Sequence, residues 1–321
     1  MGRIVGPKPK PNTLAAPLLT SLDYARRRCN RALRRQPPPH PMLTSLPGPP
    51  FPRFALSCRN TPTSDASNSN QSRGGLPRFF SDVLPPAKGG VVRIKGDEFV
   101  HMTKVLRLAA DDRVELFNGR GGLVEGCIQR IEHGGLNFVA LEDPKLVPPQ
   151  ATQWHVYAAF GTLKGGRADW LLEKCTELGA CSVTPLLTER CPSISDNRMD
   201  RLERVILAAS KQCQRLHGMA LNAPLKVSSL LPLVAESELS LIAVAGAAPA
   251  MSVFASSPRR TSSALIIVGP EGDFTDTEVN ALTEAGAAPV GLGLLRLRVE
   301  TATIALLSAA TLWSDSQLTA V

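Results

Sequence analysis

Two stretches near the C-terminus constrain the fold of this chain more than any others. They are Ile267-Val268-Gly269-Pro270-Glu271-Gly272-Asp273-Phe274 and Leu292-Gly293-Leu294-Leu295-Arg296-Leu297-Arg298-Val299-Glu300-Thr301-Ala302. In each, an apolar run meets a glycine turn, and polar residues stand where a strand should end. Open α/β sheets place small-molecule sites there, outside the carboxyl ends of their strands. Two such turns close together in sequence predict one pocket with two walls.

From Gln153 onward the pattern alternates strand and helix. Residues 154–159, 182–186, 239–245, 264–268 and 289–293 read as strands, and 264–268 is apolar enough to be central. A helix is predicted over 167–178, with Trp170, Leu171, Lys174, Cys175 and Leu178 on one side and Gly179 as its stop. Another spans 199–216, with Leu202, Val205, Ile206, Ala209, Cys213 and Leu216 as its buried stripe. The capping box Thr275-x-x-Glu278 opens a third, and 301–313 is a final apolar helix. These elements define an α/β domain with a largely parallel sheet, assigned to residues 147–321.

Upstream, residues 90–141 read as short strands broken by glycine turns, which predicts a small barrel assigned to residues 76–146. Between its first two strands, residues 97–108 have helical spacing, with Val100, Lys104 and Arg107 near one face.

The net charge of +8 points toward nucleic acid, but it is unevenly placed. Residues 1–75 hold 12 Lys/Arg and 2 Asp/Glu, whereas the rest holds 24 basic and 26 acidic residues. Any RNA-binding surface of the folded body is therefore a local patch. The first 75 residues are rich in Arg, Ser, Thr and Pro and poor in acids. They read as a disordered organellar transit peptide, with a nonspecific basic tail as the alternative. Met42 begins a Ser/Thr/Pro-rich stretch of plastid type, so the chloroplast stroma is favoured over the mitochondrial matrix. The seven cysteines form no C-x-x-C pair and none sits at ligand spacing from a histidine, so neither zinc nor a disulfide framework is expected. No apolar run reaches the length of a membrane span.

Several motifs admit two readings. Gly269-Pro270-Glu271-Gly272 is either a ligand loop or an ordinary strand-to-helix turn. Glu300 and Thr301 can satisfy free N–H groups at a helix start; alternatively, Arg298 beside Leu292-Gly293 steers an anionic or polarised substrate. Gly161 to Arg167 precedes a helix but lacks the Gly-Lys-Ser/Thr ending of a phosphate loop, so Lys164 and Arg167 taken alone read as solvated. Arg190 and Arg215 read as surface or interdomain contacts. His101, His155 and His217 have no partner at catalytic spacing. No G-x-G-x-x-G follows a strand, which argues against nicotinamide or flavin.

Taken in order, these residues resemble the RsmE family, bacterial-type uridine-N3 methyltransferases of small-subunit ribosomal RNA. The resemblance covers the chain from about Leu76 onward. It is carried by Arg78-Phe79-Phe80, Val105-Leu106-Arg107-Leu108, Lys164, Lys174-Cys175-Thr176-Glu177-Leu178-Gly179, Thr188-Glu189-Arg190-Cys191, Gln212-Cys213-Gln214-Arg215, Gly269-Pro270-Glu271-Gly272 and Leu297-Arg298-Val299-Glu300-Thr301-Ala302. It implies a PUA-like barrel followed by a SPOUT methyltransferase domain, whose C-terminal trefoil knot is an exception to the usual unknotted chain. It also implies a homodimer, S-adenosyl-L-methionine as cofactor, small-subunit rRNA or the assembled subunit as partner, and an organelle-targeted plant member.

By position, the cofactor would meet Gly269, Pro270, Glu271, Gly272, Leu292, Gly293, Leu297, Arg298, Thr301 and Ala302. Arg298 and Glu300 would be catalytic, and Arg78, Lys104, Arg107, Lys164, Arg190 and Arg215 would hold RNA. The sequence departs from the family at Asp273, where a second glycine is common, and at Leu295-Arg296, where an Arg-Ile pair is usual. These departures are the support for the alternative of a non-catalytic RNA-binding assembly factor. A SPOUT methyltransferase acting on another RNA is the nearer alternative.

Overall fold

The patterning resolves into two sheets. A computed structural model describes residues 75–149, 152–258 and 261–318; the segment read as a transit peptide lies outside them. The first sheet holds β1 (Arg78–Phe80), β2 (Val91–Ile94), β3 (Arg113–Phe117), β4 (Gly122–Glu132), β5 (Gly135–Ala140) and β6 (Lys145–Leu146). Its order is β1-β3-β4-β5-β2, with β6 on β4, and only β1–β3 is parallel. Along β4 every second residue from Gly122 to Ile128 is buried, the period of a strand with one face on a core. That core gathers Phe79, Ile94, Met102, Leu116 and Phe138 from the strands and the helical insert.

The insert is less regular than the predicted helix over 97–108. Helix α1 (Gly96–Val100) passes directly into a π-helical turn, His101–Val105. The Leu106 amide reaches back to the His101 carbonyl at 3.0 Å, and Leu108 to Met102 at 2.9 Å. The widened turn lets both Met102 and Leu108 enter the core. Arg107, at φ 56°, ends it, and both Lys104 and Arg107 are left exposed.

The second sheet contains β7 (Gln153–Ala158), β8 (Ser182–Leu187), β9 (Ala220–Leu221), β10 (Leu225–Lys226), β11 (Ser240–Ala243), β12 (Ser263–Val268) and β13 (Ala288–Val290). The order is β10-β8-β7-β12-β11-β13 with β9 on β8, and all of these pairings are parallel. Helices α2 (Arg167–Glu177), α3 (Asp196–Gln212), α4 (Val227–Glu236), α5 (Ala250–Ser256), α6 (Asp276–Glu284) and α7 (Val299–Leu318) connect or follow the strands. Successive residues of each central strand serve two cores. Val156, Ala158, Ile266 and Val268 pack with α2, α3, α5 and α7, whereas Tyr157, Leu265 and Ile267 pack with α4 and α6. Burial on both faces is why β12 reads as an uninterrupted apolar run.

Two helix faces differ from expectation. On α2 the buried residues are Ala168, Leu171, Leu172, Cys175 and Thr176, and Trp170 is 45% exposed. The α3 helix stops at Gln212, because Gln214 takes φ 53° and turns the chain. Its stripe therefore ends at Ala209, and Cys213 is exposed. The chain beyond α3 forms the seam with the first sheet. Gly121 donates to the Leu216 carbonyl and Gly218 to that of Gly119, both at 2.8 Å, and the His217 ring lies 2.8 Å from the Val147 carbonyl.

Candidate active site

The carboxyl ends of β11, β12 and β13 lie side by side, and a cleft of about 580 Å³ opens above them. Its walls are three strand-end turns, Ala243–Gly246, Gly269–Asp273 and Leu292–Leu297, closed by Val299 and Ala302 from the start of α7. Val268, Val290 and Val299 give it an apolar floor; Glu271, Asp273 and Arg296 give it a polar rim.

The middle turn is held from several sides. A Cβ on Gly269 would lie 2.8 Å from the Phe274 ring, so only glycine lets ring and turn approach this closely. Asp273 adopts φ 70°, a left-handed conformation that Asp and Asn tolerate better than most side chains. Its carboxylate accepts from the Phe274 amide at 2.9 Å, which ties the turn locally. The departure from glycine thus preserves a glycine-like backbone. Beyond it, Thr275 and Glu278 form the anticipated capping box on α6, and Glu278 also accepts from the Glu189 amide at 3.0 Å. The third turn is latched to the second by Arg296, which donates to the Glu271 carbonyl at 3.0 Å. Leu295, 81% exposed, stands at the cleft rim. At the Leu295-Arg296 departure, Arg296 thus supplies a contact between the two turns.

Of the anticipated cofactor residues, Gly269, Pro270, Glu271, Gly272, Leu292, Gly293, Leu297 and Ala302 line the cleft. Arg298 and Thr301 do not. Helical spacing puts Val299, Ala302 and Leu306 inward, whereas Arg298, Thr301 and Ala305 are exposed one step around. The Arg298 side chain makes no hydrogen bond or ion pair among the described residues.

Glu300 is only 5% exposed, and its Oε1 lies 3.6 Å from Arg167 Nη1. Its other oxygen, Oε2, has no hydrogen-bond partner among the described residues. The same Arg167 nitrogen donates to Glu271 Oε1 at 2.5 Å. That hydrogen bond first, and the charges of both carboxylates, raise the Arg167 pKa. Sequence alone left Arg167 as solvated, because neither carboxylate is near it in the chain. The Ala243–Gly246 wall was also missed: as a strand end followed by a small-residue turn, it carries no side-chain chemistry to mark it.

The anticipated RNA residues separate into two groups. Lys104, Arg107 and Lys164 are exposed. The other three are engaged internally. Arg78 pairs with Glu115 at 2.7 Å across β1 and β3. Arg190 donates to the Gly272 carbonyl and, more distantly, to those of Asp273 and Phe274, so it braces the cleft turn. Arg215 donates to Thr176 at 2.9 Å, Ala180 at 2.6 Å and Gly179 at 3.3 Å, as well as to the His217 carbonyl. It thereby adds donors to carbonyls at and beyond the end of α2, where the Gly179 amide alone reaches Thr176 at 3.3 Å. Four of the five guanidinium donors are thereby engaged within the chain. No cluster of metal-ligating side chains occurs among the described residues.

Comparison with known proteins gives a consistent result. Residues 150–311 match the model of an RNA methyltransferase domain, and residues 94–141 match that of an RNA methyltransferase PUA domain. The chain is similar to the ribosomal RNA small subunit methyltransferase E of Synechocystis sp., 30% identical over 211 residues, covering 64% of this chain and 68% of the relative. It is likewise 30% identical to the protein of that name from Mycobacterium bovis, covering 72% of this chain and 89% of the relative. A crystal structure of the Neisseria gonorrhoeae methyltransferase E bound to S-adenosyl methionine superposes with a TM-score of 0.60. The two are 25% identical, and the match covers 74% of this chain and 98% of that one.

Proposed function

The chain belongs to the ribosomal RNA small subunit methyltransferase E family, with a SPOUT methyltransferase fold and a PUA domain, and from that premise we propose that it methylates N3 of a uridine in small-subunit ribosomal RNA of an organelle. The observation that carries this reading is the cleft at the ends of β11, β12 and β13. Its volume lies in the range of small-molecule sites, and its glycine turns bring backbone close to a ligand. Its apolar floor suits an adenine ring, and Glu271 and Asp273 at the rim suit a cationic group. These features fit S-adenosylmethionine, which when bound supplies an electrophilic methyl group.

The residues of this chain must do the rest. Backbone groups of Gly269–Gly272 and Leu292-Gly293 would orient the cofactor, and Arg296 keeps the two turns together. Uracil N3 lies on the Watson–Crick edge, so the target base must be unpaired or extruded. Losing its proton leaves negative charge on N3 and on the exocyclic O2 and O4 oxygens. Arg298, exposed and unengaged, is the group proposed to stabilise that charge. Glu300, a buried carboxylate with a free oxygen, is proposed to position the base or assist proton loss. Lys104, Arg107 and Lys164 are proposed to hold RNA backbone.

The trefoil knot, a homodimer, the transit peptide and delivery to the chloroplast stroma of a plant belong to the same proposal. They rest on the family resemblance and on the basic, acid-poor N-terminal segment. Asp273 keeps a glycine-like backbone and Arg296 keeps a contact between the turns, so neither departure favours a non-catalytic role.

The test is incubation with S-adenosylmethionine and unmodified small ribosomal subunits, followed by nucleoside mass spectrometry. We expect N3-methyluridine with the wild-type chain and its loss in a folded Arg298→Ala variant. Cofactor binding without the modified nucleoside would refute this substrate. Intact turnover in Arg298→Ala would refute the role given to that residue.

A further inference from the structure

Building on the methyl-transfer reading, we propose that Arg167 is a positioning residue of this site: it holds the buried Glu300 carboxylate in place and ties it to Glu271 in the cleft wall. Arg167 does not line the cleft. It acts through two carboxylates that come from different strand ends, with one Nη1 atom 2.5 Å from Glu271 and 3.6 Å from Glu300.

The chain places this guanidinium firmly. Gly165 and Gly166 have φ values of 66° and 80°, which turn the backbone sharply into α2, where Arg167 is the first residue. The preceding loop is itself pinned, because Arg198 donates to the Gly161 carbonyl at 2.7 Å and to that of Leu163 at 2.5 Å. Arg167 Nε also reaches the Lys164 carbonyl at 3.3 Å.

The state of Glu300 gives the arrangement its meaning. A purely structural buried carboxylate normally has both oxygens hydrogen-bonded, since an unfilled acceptor is costly. Here Oε2 is buried and unpartnered, and Arg167 is the only cation paired with the group among the described residues.

The experiment compares the full-length wild-type chain with Arg167→Met, Arg167→Lys and Glu300→Gln. The Glu300 carboxyl is titrated by carbon-13 NMR of Glu-labelled protein, assigned by difference from Glu300→Gln. Cofactor affinity, kcat and KM for small-subunit RNA are measured across pH. In Arg167→Met, the loss of a neighbouring cation should raise the Glu300 titration midpoint and move the acidic limb of kcat to higher pH. We expect kcat to fall by roughly tenfold or more with a smaller change in KM. Arg167→Lys should recover much of both effects, and Arg167→Met should add little on top of Glu300→Gln. Should Arg167→Met not fold, a smaller shift of the same sign in Arg167→Lys decides. An unchanged Glu300 midpoint, or a loss of activity uniform across pH and paralleled by lost thermal stability, would overturn the proposal. If the wild-type chain binds S-adenosylmethionine but methylates no small-subunit RNA, the substrate reading fails while the carboxyl titration still decides the role of Arg167.

Discussion

Gly291→Ala offers a demanding check on how the cleft is built. Gly291 follows β13 and pairs with the segment before α5: its amide donates to the Ala248 carbonyl at 2.8 Å, and the Ala250 amide donates back at 3.1 Å. A Cβ at this position would lie 2.3 Å from the Ala247 carbonyl oxygen and 3.1 Å from its carbon. Both obstacles are backbone, so no side-chain rotation relieves them. The two segments must separate by about 1 Å, and overpacking of this kind costs about 1–3 kcal/mol. Stretching the two hydrogen bonds adds about 1 kcal/mol each, so the total is about 3–5 kcal/mol. For a chain of this size that lowers Tm by about 6–20 °C. The separation also parts the Ala243–Gly246 wall from Leu292-Gly293, so S-adenosylmethionine should bind at least about tenfold more weakly, a change of about 1.4 kcal/mol. Thermal denaturation and calorimetric titration measure both effects. The control is Gly134→Ala in the β4–β5 turn, where φ is 79° and nothing lies within 4 Å of the added carbon. It should cost about 1 kcal/mol and leave cofactor affinity unchanged. A Gly291→Ala protein that melts within about 2 °C of wild type and binds the cofactor normally would refute the reasoning.

Three further outcomes are expected. Arg190→Ala should release the Gly272–Phe274 turn and weaken cofactor binding by about tenfold without abolishing RNA binding, as read by calorimetry and by filter binding. Burial pushes the His155 imidazole below its usual 6.5. The unfolded chain therefore takes up a proton that the folded one resists, and stability present above about pH 6.5 is lost as pH falls through the folded value. Urea midpoints across this window should fall less steeply in His155→Gln. Replacing Lys104 and Arg107 together by Gln should weaken RNA binding and reduce its log–log salt slope by about 1.4, about 0.7 for each phosphate no longer neutralised; an unchanged slope would remove both residues from the RNA face.

Much of this architecture is legible in the sequence because local signals and tertiary demands agree. The run Ala264 to Val268 is central because it is apolar on both faces, and the Thr275–Glu278 box caps α6 as its spacing requires. Legibility fails where a distant partner overrides the local pattern. The π turn at His101–Val105 exists because Met102 and Leu108 must both enter the core, which no helical period over 97–108 encodes. Pro232 lies inside α4 and masks it as a helix, and β9 and β10 are too short to show alternation. At the site, the glycine turns are visible because glycine itself is the signal. Arg167 is not, because its partners lie at Glu271 and Glu300. Arg298 reads as part of the cleft from its neighbours in sequence, yet one step around a helix turns it outward.

The basic residues carry the same lesson further. Arg190 and Arg215 stand in motifs that fit RNA contact, but each donates to backbone carbonyls of its own chain. A fork of donors suits that task as well as it suits phosphate. The Arg215 case shows why a chain would use arginine this way. Carbonyls at the end of α2 and the backbone at His217 meet at one point, and the adjacent residues Leu216 and Gly218 pair with the β3–β4 turn of the barrel. One guanidinium therefore fixes the end of a methyltransferase-domain helix and the strip of chain on which the barrel docks. The exposed Lys104 and Arg107 are carried on that barrel, which is also joined to α3 by the Lys211–Glu98 ion pair at 3.5 Å. The charge proposed to position RNA and the charge that positions the protein's own chain thus reside on different residues, and only the exposed set should govern salt dependence.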